Sequence, residues 1–200
     1  MTTAPATCAY TAHGAHAFHG TELTRGPWDP GHQHAGPPTA LVCRAIEQAA
    51  AAHGLTHLAR LTGNLLRPVP LGDLLIEVQE DYAGRNAAHY SARLIGHGKE
   101  VARFTALMQR EVDQPVPAGT PGHPLPMAPR PPAASDPVLM PSAKRQRGYG
   151  DLVENRVATG HFFAGPCCAW FRLRHPLVEG ETPSPYQRVA VAADSGNGIS

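Results

Sequence analysis

Arg25-Gly-Pro-Trp-Asp-Pro-Gly-His-Gln-His34-Ala35-Gly36-Pro37-Pro38, continuing from Thr39 to His53, is the stretch on which the rest of the chain depends. Gly26, Pro27, Pro30 and Gly31 make a turn-rich loop, and two prolines at a first helical turn open an apolar-periodic segment that ends at Gly54. Leu41, Val42, Ala45, Ile46, Ala49 and Ala52 recur at three- and four-residue spacing, while Arg44, Glu47 and Gln48 fall on the opposite side. One face is therefore expected in a core and the other toward water or a partner. Because most of the apolar side chains are alanine, the helix is slim enough for a curved sheet to close around it. Gly36 falls where helix N–H groups are unpaired and the dipole is positive, and its missing side chain admits a carbonyl or an anion.

The 200 residues carry a net charge of +1 and 42% hydrophobic residues, enough for a core and too balanced for a nucleic-acid binder. The one dense basic run is Lys144-Arg145-Gln146-Arg147. Met1 to Thr11 lacks the basic and apolar regions of a secretory leader, and no apolar run is long enough to span a membrane, so a cytoplasmic protein is expected. Cys8, Cys43, Cys167 and Cys168 fit neither zinc spacing nor a disulfide framework, and reduced thiols serving as small core residues are expected.

Along the chain, residues 1 to 16 are small, polar and aperiodic and are expected to be mostly unstructured. Ala17 to Thr24 reads as a first strand. After the helix, alternation marks strands at Leu58 to Leu66, around Leu74 to Gln79, at Ala88 to Leu94 and at Val101 to Met108. One long helix followed by a consecutive antiparallel meander is an α+β layer in which the sheet wraps the helix, the outline of a hotdog fold. From Asp113 to Pro141 the prolines crowd, which predicts an extended linker. Beyond it, strands at Leu152 to Thr159 and Cys167 to Arg174 precede a helix at Pro183 to Asp194. The expected layout is a hotdog unit over residues 1–112, a Pro-rich linker over 113–148, and the start of a second, incomplete unit over 149–200.

Arg25-Gly-Pro-Trp28, His32-Gln-His-Ala-Gly-Pro-Pro38, Arg67-Pro-Val-Pro70, Trp170-Phe-Arg-Leu-Arg174 and Ala192-Ala-Asp-Ser-Gly-Asn-Gly198, in that order, resemble the thioesterase-like superfamily related to type II acyl-CoA thioesterases. The resemblance implies two fused hotdog units and hydrolysis of acyl-CoA to free acid and CoA, without a cofactor. It also implies that Asp194 orients or activates the attacking water. The family's threonine and glutamine partners lie on later strands of the second unit, which this chain does not reach. Relatives usually carry His-Gly-Gly where this chain has His34-Ala35-Gly36, so Ala35 adds a methyl group beside the site.

Thioester hydrolysis needs a positioned water and donors for an oxyanion. Asp194 and Asn197 suit the first need, and N–H groups near Gly36 or Gly196 the second, although Asp-Ser-Gly-Asn also suits a plain helix-ending turn. His34, Ala35, Gly36, Asn197 and Trp28 are the candidate substrate-binding residues, with Trp28 read as a packing side chain that could also line an acyl tunnel. Glu47 lies about 16 Å from Gly36 at ~1.5 Å per residue, too far to share one carbonyl, and is read as a surface carboxylate. His13, His16 and His19 lack the converging ligands of a metal site, so no metal is expected. A homo-oligomer is expected to cover the faces left open by the incomplete unit, around Val189 to Ala193 and Cys167 to Arg174. Two other functions compete: a non-catalytic acyl-thioester binder or truncated remnant, and, last, a hotdog hydratase whose acid–base pair would have only Asp29 beside His34.

Overall fold

The structure is a computed structural model that describes residues 4–113, 115–122, 128–138 and 146–196. The helix predicted from the quoted stretch, α1, spans Gly36–Ala51 with its two prolines in the first turn. Leu41, Val42, Ala45 and Ile46 are buried in the core, while Ala52 at the end of the periodic run is exposed. Around α1 lies a six-stranded antiparallel sheet of β1 (Tyr10–Ala12), β2 (Ala17–Gly20), β3 (His57–Leu65), β4 (Gly72–Ala83), β5 (Ala87–Gly96) and β6 (Lys99–Gln109), in the order β1-β2-β4-β5-β6-β3. Alternation places Leu74, Ile76, Ala88, Tyr90, Ala92, Leu94, Phe104, Ala106 and Met108 on the face that meets α1. This is the hotdog arrangement the helix–meander pattern predicts.

Two turns set the register. Between β5 and β6, His97 and Gly98 both take positive φ, 49° and 69°, which is the backbone of a two-residue hairpin whose twist matches its strands. At the end of α1, Gly54 at φ 65° turns the chain into β3. Thr21 to Thr24 is a turn of 3-10 helix, not the continuation of a strand, because the Thr21 side chain caps it by accepting from Leu23 N–H.

The start of the chain departs from expectation. Cys8, Ala9 and Tyr10 are buried, and β1 sits between β2 and residues 176–179. Ala9 N–H and Tyr10 N–H donate to Pro176 O and Leu177 O at 3.0 and 2.9 Å, and Glu179 N–H donates to Tyr10 O at 3.0 Å. Composition hid this strand because its partners are far along the chain; Ala, Tyr and Thr carry little local signal once long-range pairing decides the conformation.

The second sheet has three strands, β7 (Asp136–Val138), β8 (Val153–Thr159) and β9 (Cys168–Leu173), followed by α3 (Pro185–Ala193). β8, β9 and α3 follow the sequence reading. β7 does not: Pro137 sits in an edge strand inside the stretch read as a linker, at the outer edge of the sheet where a missing N–H costs no ladder bond. Residues 114, 123–127 and 139–145 of that stretch lie outside the described residues, and with them Lys144 and Arg145 of the basic run. A short helix, α2 (Tyr149–Leu152), precedes β8 and docks on the first unit through Tyr149 N–H to Arg25 O, 2.9 Å. Arg147 adds an ion pair to Glu22 at 3.1 Å. Cys8 and Cys43 are buried as expected, whereas Cys167 and Cys168, at the start of the edge strand β9, are only partly covered. Among the described residues no helix is long and apolar enough to cross a membrane.

Two polar residues expected on the open side of α1 are enclosed instead, because α3 packs there. Arg44 is 9% exposed, sends two N–H groups to Glu181 at 2.6 and 2.5 Å, and stands over the Phe18 ring at 5.4 Å. Glu47, read as a surface carboxylate, is half-buried against the start of α3. The period of a helix separates its faces but does not say which of them a second element will cover.

Gly63 on β3 faces the buried Phe104 ring, and a Cβ there would come within 2.6 Å of it. Because the Phe104 ring is itself buried in the core and must shift, Gly63→Ala is expected to lower unfolding stability by about 1–3 kcal/mol, read as a reduced urea midpoint at an unchanged slope.

Candidate active site

α1 and α3 lie side by side and antiparallel, so that the end of α3 meets the start of α1. A Cβ on Gly36 would collide with the Val191 carbonyl oxygen, so the two backbones touch there and only glycine fits. The loop ahead of α1 is pinned from several sides. Gln33 N–H donates to Val69 O at 2.8 Å and His34 N–H to Thr24 O at 2.8 Å. The buried Gln33 side chain accepts from Tyr10 Oη–H at 2.6 Å and donates to Pro70 O at 2.8 Å. Gln33 and Tyr10 thereby hold the loop that presents His34, Ala35 and Gly36.

At this junction Asp194, the C-cap of α3, brings its Oδ2 to 3.1 Å from Ala35 N, which donates to it, and to 3.0 Å from His34 Nδ1. Gly36 N–H points at the same Nδ1, 3.2 Å away. Pro37 and Pro38 offer no N–H, so the donors at this helix start are those of Ala35 and Gly36. The imidazole lies flat on the Tyr149 ring, 3.7 Å between centroids and 2° between planes. Tyr149 Oη–H donates to Val191 O at 3.0 Å, which leaves its oxygen to accept from Ser195 Oγ, also at 3.0 Å.

Three elements distant in sequence thus converge: the loop before α1, the end of α3, and α2. His34, Ala35, Gly36 and Asp194 are brought together. Trp28 is not among them; it is 95% exposed and packs no core, since the loop carrying it is closed by backbone bonds such as Asp29 O to His32 N–H and leaves the indole outside. Asn197 lies outside the described residues. Tyr149 and Ser195 were not singled out by sequence reasoning. The signal for Tyr149 is an aromatic residue between Gly148 and Gly150 where the proline-rich stretch ends, and it says nothing of a histidine more than a hundred residues earlier.

Burial holds the His34 pKa below the ordinary histidine value, with the Asp194 carboxylate pulling the other way. The same enclosure pushes Tyr149 up to about 12, so it stays a neutral donor. Nδ1 faces both a donor, Gly36 N–H, and an acceptor, Asp194 Oδ2. Without a proton it accepts from Gly36; with one it donates to Asp194 and releases the Gly36 N–H. The site can therefore exchange one donor for another by a single proton shift.

Residues 24–109 match the model of the acyl-CoA thioesterase N-terminal domain family, a span that includes the His34–Gly36 loop, α1 and β3 to β6. None of the curated proteins matches the chain. Among solved structures, a provisionally assigned thioesterase from Novosphingobium aromaticivorans is similar at TM-score 0.65 and 20% identity, over 94% of this chain and 72% of its own. A hot dog fold protein of unknown function from Alicyclobacillus acidocaldarius is similar at 0.59 and 19%, over 94% and 67%. The TesB protein of Mycobacterium avium subspecies paratuberculosis is similar at 0.62 and 18%, over 94% and 66%. These likenesses establish the fold across both parts of the chain: a hotdog unit followed by part of a second one. Asp194 and Tyr149 fall outside the acyl-CoA thioesterase N-terminal domain, and in this chain they complete its helix start from the other unit.

Two outcomes follow for this junction. Gly36→Ala is expected to force α1 and α3 apart and cost about 1–3 kcal/mol of stability, seen in thermal or urea unfolding. Because the folded His34 pKa is depressed, its contribution to stability is present above the unfolded value of about 6.5 and is lost as pH falls through the folded one. Lowering the pH from about 7.5 to 5 is therefore expected to reduce the urea midpoint more in the wild type than in His34→Gln.

Proposed function

We propose that this chain hydrolyses an acyl-CoA thioester to the free acid and CoA at the junction of α1 and α3. The observation that carries the reading is the Asp194 carboxylate held at a helix start, beside His34 and the Ala35 and Gly36 N–H groups. The match of residues 24–109 to the acyl-CoA thioesterase N-terminal domain supports the substrate class.

In this scheme the thioester carbonyl oxygen lies at Gly36 N–H, freed when His34 Nδ1 donates to Asp194. The positive end of α1 and that N–H stabilise the oxyanion as it forms. Asp194, 36% exposed at its side chain, takes a proton from a water that attacks the carbonyl carbon. Collapse of the tetrahedral intermediate breaks the C–S bond, and the proton held by Asp194 passes to the departing thiolate. Ala35 N–H fixes one carboxylate oxygen and leaves the other to face the water. Tyr149 keeps the imidazole in plane and, through Val191 O and Ser195, ties it to the end of α3. The setting proposed is cytoplasmic fatty-acyl metabolism, with residues 1–112 and 149–200 as the two units, 113–148 between them, and a second copy covering the open face of the second unit.

Free-thiol release from short-, medium- and long-chain acyl-CoA tests this reading. Asp194→Asn is expected to lower kcat by about 10² to 10⁴, the range of a lost general base, while the protein stays folded. Equal background rates in both would leave a binder without turnover. Tyr149→Phe keeps the stacked ring and loses its two hydrogen bonds, so it is expected to lower kcat by roughly tenfold and stability by about 1 kcal/mol.

A further inference from the structure

The antiparallel pair of helices has a second end. Where α1 begins it meets Asp194 of α3; where α3 begins it meets Glu47 of α1. Glu47 Oε2 accepts from Ser184 Oγ–H at 2.9 Å and from Gln187 Nε2–H at 2.7 Å. Ser184 is the N-cap of α3, and its hydroxyl oxygen accepts Gln187 N–H at 3.1 Å, so both hydrogen-bonding roles of that hydroxyl are used. Burial and the Glu47 carboxylate together push up the thiol of buried Cys43, one turn earlier on α1. Gln187 is itself buried. A solvated surface carboxylate does not collect an N-cap hydroxyl and a buried amide from a second helix. Three residues before Ser184, the Arg44–Glu181 pair fixes the approach to the same helix start.

We propose that Glu47 is a positioning residue for the site at the other end of the helix pair: by gripping the N-cap of α3 it sets the axial position and rotation of that helix, and with them the place of Asp194. This rests on Asp194 being the carboxylate of the proposed reaction. Ser184 and Asp194 are ten residues apart on one helix, about 15 Å at ~1.5 Å per residue, and a hydrogen-bonded helix transmits a shift at one end to the other almost undiminished. The end of α3 is held beside the loop by Ala35 N–H, His34, the Gly36–Val191 contact and Tyr149, so the grip on its start by Glu47 sets how squarely it meets them. A misplacement of about 1 Å at a reacting group costs on the order of 10² in rate.

The test compares Glu47→Leu with Glu47→Gln in the full chain, since glutamine keeps an oxygen that accepts from Ser184 and Gln187 and leucine keeps none. The first readout needs no turnover. In an NMR titration of the His34 imidazole, Asp194→Asn lowers the pKa by about half a unit or more because it withdraws the carboxylate beside the ring. Glu47→Leu is expected to lower it in the same direction, and Glu47→Gln to leave it at the wild-type value. On acyl-CoA, Glu47→Leu is expected to lower kcat by about 10- to 100-fold with KM within about twofold, and Glu47→Gln to stay within about threefold of wild type. If Glu47→Leu does not fold, Gln187→Met, which removes one donor, is expected to lower the His34 pKa by a smaller step. A folded Glu47→Leu or Gln187→Met with an unmoved His34 titration overturns the proposal whether or not the wild type turns over. Equal kinetic loss in Glu47→Gln and Glu47→Leu also overturns it, because Glu47 would then be a reacting carboxylate. A moved titration in a wild type without turnover would uphold the positioning role and reject the hydrolase reading instead.

Discussion

Everything at the candidate site depends on two helix backbones coming into contact at Gly36 and Val191. Packing this close has one requirement, a residue without a side chain at the start of α1, and three consequences. It brings the end of α3 within hydrogen-bonding reach of the N–H groups that a helix start leaves unpaired. It aims the Val191 carbonyl toward Tyr149, which in turn lies on His34. It also encloses Arg44 and Glu47, residues that α1 alone would have left in water, so the polar face of one helix becomes an interface between units. The slim, alanine-rich character of both helices suits this packing on one side and the curved sheet on the other.

His34 is where structure and chemistry meet most closely. A single nitrogen lies 3.2 Å from a donor and 3.0 Å from an acceptor, in surroundings that disfavour its charged form. Such a group does not settle both neighbours at once. Whichever way it turns, one of Gly36 N–H and Asp194 is free to meet something else, which is what a site needs before substrate arrives. The Tyr149 ring restricts the imidazole to a plane, so the exchange is a matter of protonation and not of rotation. Ala35, which adds a methyl group beside the site, also contributes its backbone N–H to Asp194.

Much of this was legible in the residues. The period of Leu41, Val42, Ala45 and Ile46, the paired prolines ahead of them and the alternation from Leu74 to Met108 specify a helix and a meander by local rules. The same stretch shows Gly36 as a place for close approach, and the resemblance carried Asp194 to it. What stayed hidden are pairings with no local signature. Tyr10 lies in a strand because residues 176–179 and β2 flank it, not because of its neighbours in sequence. Pro137 reads as linker and becomes an edge strand because β8 offers a partner on one side only. Glu47 looked like a surface charge because the helix that buries it is 137 residues further on, and Tyr149 gave no hint of His34. Trp28, conspicuous as an aromatic in the loop before α1, is exposed, since the loop holds itself together through its backbone.

Receipt of the acyl carbonyl at the start of α1, across from Asp194, is open to titration of the uniformly 15N-labelled chain with an acyl-aza(dethia)CoA, in which an amide keeps the carbonyl but resists hydrolysis. Saturable shifts of the Ala35 and Gly36 amide resonances are expected, with a downfield move of Gly36 as its N–H passes from His34 Nδ1 to the carbonyl oxygen. Saturable binding that leaves both amides unmoved and perturbs another part of the chain would contradict it.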